Sequence, residues 1–240
     1  SPITVPSQDM VLGLYYITKA RKGVKGEGLK FYSPEEVEIA YNEGAVDIHA
    51  IISVRTQDVD KEGNIITRLV EDTTVGRVIV NKFVPKECGY LNELLSKKSL
   101  RNVIGRVIET CGVARTAKFL DDIKNLGYQM AFRGGLSFNL ADVIIPEEKE
   151  ALVNSGYEEV ENIMNDYNMG YITNNERYNQ IIDTWTRVNS ELTSVVMKQL
   201  SGDNQGFNSV YMMLDSGARG SREQIRQLSG MRGLMAKPTK

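Results

Sequence analysis

The spacing of apolar residues between positions 146 and 200 predicts two helices that pack against each other. The first carries apolar residues at intervals of four and three: Val153, Tyr157, Val160, Met164 and Tyr167. The second repeats the same spacing: Tyr178, Ile181, Trp185, Val188, Leu192 and Val195. Such a stripe is typical of a coiled-coil seam, and Thr173 with Glu176 forms a capping-box signal before the second helix. The pattern predicts an antiparallel helical hairpin over 146–200, with the apolar seam residues buried between its two helices.

The preceding part, residues 1–145, mixes helix and strand signals. Short helices are predicted at 10–18 and from Pro34 to about Asn42, the second ending at Gly44. β-Branched runs at 48–55 and 65–69 flank a turn signal at 60–64 and predict a hairpin. A basic helix is expected over 91–108, and another helix over 114–126 that ends at Gly127. The chain is therefore expected to be α+β, with a mixed, strand-rich body before the helical hairpin.

Residues 201–240 combine a small-residue turn with cationic side chains. An apolar run at 210–214 leads into Ser216-Gly-Ala-Arg-Gly-Ser221, and Ser221 is a predicted N-cap. The amphipathic helix that follows carries Gln224, Arg226 and Gln227, and the next loop carries Arg232 and Lys237. A glycine-flanked turn, a helix N-terminus and Arg219 together suit an anion such as phosphate. On pattern alone, a solvated turn before an ordinary surface helix is the favoured interpretation, because glycine-rich turns with a basic residue are common.

Composition narrows the function classes. The chain has 240 residues, 25% charged, with a formal net charge of −2, which argues against a free-standing nucleic-acid binder. The sequence contains no apolar run of about 18 residues and no secretory signal. Cys88, Cys111 and His49 cannot build a four-ligand zinc site without carboxylates, and no CxxC pair occurs, so reduced thiols are expected. Neither end has the look of a natural terminus, which predicts a piece of a longer protein.

Five strings of this sequence carry a family resemblance. They are VPSQDMVLGLYY at 5–16, DTTVGR at 72–77, ERYN at 176–179, SGARGS at 216–221 and QIRQLSGMRGLMAKP at 224–238. In this order they resemble the largest catalytic subunit (beta-prime) of bacterial RNA polymerase, and the resemblance covers essentially all 240 residues. It implies a pore domain over 1–145 that walls the secondary channel, a rim-helix coiled-coil hairpin over 146–200, and a funnel and F-loop segment over 201–240.

The resemblance also implies roles for single residues. Arg219 would meet the triphosphate of an entering nucleoside triphosphate (NTP), with Met213 close by. An F-loop that supports the bridge helix and the trigger loop would contain Gln224, Arg226, Gln227, Met231 and Arg232. The hairpin would dock Gre-type and DksA-like secondary-channel factors. The candidate contacts are the polar residues near its tip, Asp166, Glu176, Asn179 and Asp183, for each of which a solvated face is the favoured alternative. Some members bind an alarmone near 114–125, but this chain has other residues there, so that site is not carried over.

Cofactors and partners follow from the same resemblance. The family adds nucleotides with two Mg²⁺ ions held by an aspartate triad, and no such motif occurs in this sequence. We therefore expect no catalytic residue, cofactor or metal in this segment, and no activity from it alone. The implied partners are the beta, alpha and omega subunits, DNA and RNA, in the bacterial cytoplasm at the nucleoid and without a membrane.

Two other function classes remain as alternatives. One is a stand-alone coiled-coil interaction module whose SGARGS turn binds phosphate incidentally. The other is a small phosphotransferase, which the lack of metal-binding carboxylates disfavours.

Overall fold

Three strands, eight α-helices and three short 3-10 helices make up the regular structure of the residues that the computed structural model describes, 5–59 and 64–235. The chain divides into two units: Ser1–Ser137 with Met212–Arg219, and Phe138–Tyr211 with Gly220–Lys240. The α+β class is confirmed. Strands occupy less of the first unit than the strand-rich expectation, because residues Val75–Asn81 form a helix.

The sheet of the first unit has the strand order β1-β2-β3. Strand β1 (Lys30–Phe31) runs parallel to β2 (Ile51–Val59), and β2 pairs antiparallel with β3 (Ile65–Thr74). The predicted turn between β2 and β3 falls largely on residues 60–63, outside the described residues. Helix α2 (Pro34–Asn42) packs near the sheet, and the buried residues of both form one cluster around Val37, Ile52 and Val54.

The limits of α2 match the sequence prediction. Pro34 stands at the first helical position, and the Ser33 side chain accepts a hydrogen bond from the Glu36 N–H. The helix ends at Asn42, and Gly44 follows with a φ of 69°. Local signals were sufficient here because caps act within one turn of the helix.

Glycines bring three helices of the first unit into backbone contact: α1 (Asp9–Thr18), α3 (Val75–Asn81) and α4 (Lys97–Gly134). A Cβ atom on Gly13 would lie 1.9 Å from the carbonyl oxygen of Gly127, and one on Gly76 would lie 1.8 Å from that of Ile17. The prediction that a helix ends at Gly127 was wrong. This glycine serves the contact between α1 and α4 rather than a C-cap.

Helix α4 is interrupted once, at Gly112. This residue has φ 75° and ψ 174°, a conformation that is essentially restricted to glycine. The predicted helices at 91–108 and 114–126 therefore correspond to two helical halves. The first begins later than predicted, at Lys97, and the second continues to Gly134.

Helices α5 (Glu148–Asn168) and α6 (Asn174–Gly202) form the predicted hairpin in the second unit. Thr173 caps α6 in a reciprocal capping box with Glu176, as predicted. The seam differs from the prediction. The buried residues of α6 recur every fourth position: Thr184, Val188, Leu192, Val196 and Leu200. In α5 the buried residues are Gly156 and Ile163.

The seam prediction failed for Tyr157 and Tyr178, each 61% exposed. A Cβ atom on Gly156 would lie 3.2 Å from both Trp185 and Val188. Because Gly156 has no side chain, α6 approaches α5 along this position, and Tyr157 moves to the edge. There its ring meets Trp185 edge-on, with centroids 5.0 Å apart.

The chain closes with two short helices, α7 (Ser209–Asp215) and α8 (Arg222–Ser229). Both match the predicted apolar run and amphipathic helix. Ser221 is the N-cap of α8, as the sequence predicted, and it forms a capping box with Gln224.

Candidate functional site

The turn that follows α7 is anchored through its backbone. The N–H of Lys97, at the start of α4, donates to the Ser216 carbonyl at 2.8 Å, and the Ser216 side chain is buried. The N–H of Arg219 donates to the Met213 carbonyl at 3.2 Å. Gly217 has a φ of 72°, and a Cβ atom on it would lie 3.2 Å from the Lys97 side chain. The turn is thus held in one shape by α4 and α7.

A partly buried polar contact ties the end of α7 to α1. The Tyr15 hydroxyl donates to Asp215 Oδ2 at 2.6 Å, and Lys19 Nζ donates to the same hydroxyl at 3.0 Å. Burial lowers the pKa of Lys19, and the nearby Asp215 carboxylate partly offsets that effect. A carboxylate and an ammonium group on one buried hydroxyl fix the position of the residue just before the turn.

The two residues predicted to contact NTP are Met213, in α7, and Arg219, in the turn that follows it. Arg219 is exposed, and within 5–59 and 64–235 its guanidinium makes no hydrogen bond or ion pair. Met213 is half-buried. A rigid backbone that presents an unengaged guanidinium can bind an anionic oxygen group through paired N–H donors.

The residues predicted to form the F-loop lie in and after α8. The side-chain oxygen of Gln224 accepts a hydrogen bond from the Ser221 N–H at 3.0 Å, so Gln224 stabilises the start of α8. Arg226 is half-buried and pairs with Glu223. A Cβ atom on Gly233 would lie 3.2 Å from the Arg226 guanidinium, so the loop passes close to it.

The rest of this segment presents side chains to solvent. Gln227 and Arg232 are exposed, and Met231 is half-buried. Three apolar residues that the sequence analysis did not single out are also exposed: Leu228, Leu234 and Met235. An amphipathic helix with an outward leucine followed by exposed apolar residues suits contact with another polypeptide segment.

The four residues of the predicted acidic tip are all exposed, but they differ in what they contact. The Glu176 carboxylate accepts hydrogen bonds from the N–H and the hydroxyl of Thr173, which lower its pKa. Asp183 lies in a groove with Glu159 and Arg187, which pair with each other. Asp166 and Asn179 lie on α5 and α6 near the loop that joins them.

The exposed aromatic side chains at the tip of the hairpin were not predicted from the sequence. Tyr171 is 75% exposed and Met169 68% exposed in the connecting loop. The Arg177 guanidinium lies over the Tyr167 ring, 4.9 Å from its centroid. Helical periodicity had assigned Tyr167 and Tyr178 to the seam, so only the placement of the loop could reveal this surface.

A cavity of about 500 Å³ opens in the first unit between the sheet and α2. Tyr32, Arg55 and Lys82 line it, together with Thr56, whose buried hydroxyl has no hydrogen-bond partner within the described ranges. Tyr90 also borders it, and burial raises the pKa of its phenol to about 12. No motif in the sequence indicates this cavity.

The described residues offer no metal centre. None of their His, Cys, Asp and Glu side chains form a group of three or more that could hold a metal ion. In that same part of the chain, no helix is both long and apolar enough to cross a membrane.

Comparison with known proteins defines the class. Residues 1–143 match RNA polymerase Rpb1, domain 3, and residues 172–240 match RNA polymerase Rpb1, domain 4. The chain belongs to the family of the largest subunit of DNA-directed RNA polymerase. The resemblance seen in the sequence is thereby confirmed.

The curated relatives are bacterial. The chain is 73% identical over 240 residues to DNA-directed RNA polymerase subunit beta' of Parabacteroides distasonis, and 72% identical to that of Bacteroides fragilis. It is 56% identical over 245 residues to the subunit of Flavobacterium johnsoniae. Each match covers the whole chain but 17% of the relative's length.

Proposed function

We propose that this chain is the part of a bacterial RNA polymerase beta-prime subunit that lines the secondary channel through which NTP reaches the active centre. The observation that carries the proposal is the exposed, unengaged Arg219 guanidinium on a turn anchored by Lys97 and by the Tyr15–Asp215 hydrogen bond. The family membership supports the same role. Nucleotide addition itself would depend on Mg²⁺ held by residues elsewhere in the subunit.

Arg219 would bind the triphosphate of the entering nucleotide. A hydrogen bond to a charged group contributes about 1.5–3 kcal/mol, which corresponds to roughly a ten- to hundredfold effect on rate. The half-buried Met213 carbonyl accepts the Arg219 N–H, so Met213 would keep the backbone of the turn close to α7. Arg219 would therefore orient NTP without taking part in bond formation.

The α8 segment would act as a support for moving parts of the enzyme. Gln224 fixes the start of α8, and the loop at Gly233 passes close to the Arg226 guanidinium. Gln227, Met231 and Arg232, with the exposed leucines, would then contact the bridge helix and the trigger loop. The family resemblance implies this role, and the exposed apolar side chains of the segment support it.

The hairpin would dock secondary-channel factors of the Gre and DksA types. Exposed Asp166, Asn179 and Asp183 would supply polar contacts, whereas Glu176 would act mainly by holding the cap. Tyr171 and Met169 add an apolar contact surface that the acidic prediction lacked. The beta, alpha and omega subunits, DNA and RNA would be the other partners in the assembled enzyme.

The test is Arg219→Ala in the complete polymerase. We expect nucleotide addition to slow roughly ten- to hundredfold at limiting NTP, with assembly unchanged. The matched control is Arg222→Ala, because Arg222 is also an exposed arginine, three residues away. Equal addition rates for the Arg219 variant and the unaltered enzyme would contradict the proposal. A native polypeptide of this chain's own size, without RNA-synthesising activity, would favour the interaction module instead.

A further inference from the structure

The two cysteines of this chain lie side by side in the first unit. Cys88 is the last residue of a single 3-10 turn, Lys86–Cys88. Cys111 is the last residue of the first half of α4, directly before the break at Gly112. Their Sγ atoms are 3.7 Å apart, which is contact distance between sulfur atoms. Both residues are only partly buried, so small reagents can reach them.

A second contact holds the same two segments together. Arg115, beyond Gly112, forms an ion pair with Glu87 in the turn, with Nη1 2.7 Å from Oε1. Both cysteines also pack against the buried apolar cluster that includes Val107 and Phe119. The thiol pair is therefore positioned by packing on one side and by an ion pair on the other.

Metal binding does not explain the pair. Within 5–59 and 64–235, no third His, Cys, Asp or Glu joins them in a group that could hold an ion. Closed sites for soft metals use four ligands in most structures. A pair of adjacent, accessible thiols without further ligands is suited to thiol–disulfide exchange.

We propose that Cys88 and Cys111 form a modification site, at which a low-molecular-weight disulfide such as oxidised glutathione converts them to an intrachain disulfide bond. One cysteine thiolate attacks the glutathione disulfide and releases one glutathione thiolate. The second cysteine thiolate attacks the mixed disulfide and releases the other. Both cysteine thiols are oxidised, the glutathione disulfide is reduced to two glutathione molecules, and the two thiol protons end on these products.

Burial and the Cys111 contact raise the pKa of the Cys88 thiol to about 11. Because the thiolate is the nucleophile, reaction at Cys88 should become faster as the pH rises. The bond would tie the 3-10 turn to the residue next to the break in α4.

The experiment uses the natural full-length polypeptide that carries this sequence, in its native complex. After incubation with oxidised glutathione, remaining thiols are blocked with N-ethylmaleimide under denaturing conditions, and the protein is digested with trypsin. Cleavage places Cys88 in the peptide 87–97 and Cys111 in the peptide 107–115. We expect mass spectrometry to find these two peptides linked as their main form, and a reducing agent to separate them.

The control moves one thiol across the break while keeping the number of thiols. In Cys111→Ser with Val113→Cys, the new thiol is on an exposed residue beyond Gly112, and we expect separate glutathione adducts with no linked peptide. In Cys88→Ser alone, Cys111 should accumulate as the glutathione adduct. Separate adducts or unreacted thiols at Cys88 and Cys111 in the unaltered protein would overturn the proposal.

Discussion

Arg115 binds Glu87 through two parallel contacts, Nη1 to Oε1 at 2.7 Å and Nη2 to Oε2 at 3.2 Å. The pair lowers the pKa of Glu87. Together, this ion pair and the contact between Cys88 and Cys111 hold the 3-10 turn Lys86–Cys88 against residues on both sides of Gly112. Gly112 is the one break in α4 among its described residues. Because the ion pair is exposed, it contributes little free energy of unfolding, and its main effect is to fix how the two helix halves meet.

Gly112→Ala should destabilise the chain. The φ of 75° with ψ of 174° is strained for any residue with a Cβ atom, at a cost of about 1–3 kcal/mol. We expect the free energy of unfolding, measured by denaturant titration, to fall by about that amount. Open space surrounds a Cβ atom at this position, so the loss would come from the backbone conformation.

The matched control is Gly105→Ala in the first half of the same helix. Its φ is not positive, and a Cβ atom there would meet nothing within 4 Å. Because alanine favours a helix over glycine by about 1 kcal/mol, this variant should be slightly more stable than the unaltered chain. A gain of stability in both variants would mean that α4 is continuous through residue 112.

Gly13→Ala should separate α1 from α4. The new Cβ atom would lie 1.9 Å from the Gly127 carbonyl oxygen and 2.8 Å from the Ala131 nitrogen, and backbone atoms cannot move aside as a flexible side chain can. Overpacking costs about 1–3 kcal/mol, and occasionally more. Thermal unfolding should show a clearly lower Tm, whereas Gly202→Ala, with open space around its Cβ, should not. An unchanged Tm for Gly13→Ala would contradict the close helix contact.

The stability of the first unit should decline in mild acid because of His49. Burial lowers the pKa of this imidazole. The Nδ1 contact with the Lys19 carbonyl at 2.8 Å and the nearby Asp47 offset part of the effect, and Arg21 and Lys19 add to it. The Tyr16 ring also packs against it, with centroids 4.6 Å apart.

The sign of the pH effect follows from this direction. The unfolded chain takes up a proton at a pKa of about 6.5, before the folded chain does, so protonation favours unfolding. The contribution is fully present above about pH 6.5 and is lost as the pH falls below it. His49 is the one histidine of the sequence, so NMR titration of a histidine-labelled chain reports it directly. A midpoint at or above about 6.5 would contradict the prediction.

Local signals predicted the parts of the fold that depend on nearby residues. Ser33, Thr173 and Ser221 each cap a helix through a partner three residues on, and this spacing is visible in the sequence. The small-residue turn around Arg219 was predicted for the same reason. Its roles in binding NTP stay predictions, because they depend on parts of the enzyme beyond this chain.

Contacts between distant residues could not be predicted in this way. A glycine often marks the end of a helix, so the sequence predicted an end at Gly127. The close approach of Met10 and Gly13 to Gly127 explains why a glycine is needed there although the helix continues. Tyr157 and Tyr178 fit a heptad, but Gly156 directs α6 to the neighbouring face. Cys88 and Cys111 are far apart in sequence, and the path of α4 brings them together.

The exposed loop of the hairpin leads to the last prediction. Tyr171 has the exposure and chemistry of an interface anchor, since tyrosine is enriched among residues that dominate binding. In the complete polymerase, Tyr171→Ala should weaken the binding of a Gre-type factor about tenfold, the effect of roughly 1.4 kcal/mol. Nucleotide addition without the factor should not change, because Tyr171 contacts neither Arg219 nor the α8 segment in the proposed mechanism.

The control for this variant is Tyr128→Ala, since Tyr128 is a half-exposed tyrosine on α4, outside the hairpin. Affinity is measured by titration of the labelled factor, and rate by single-nucleotide addition. Loss of affinity in the Tyr171 variant alone would assign the contact to the hairpin tip. Equal affinity of the two variants would leave the aromatic tip without a role in docking, and the polar residues Asp166, Asn179 and Asp183 would then be the next positions to substitute.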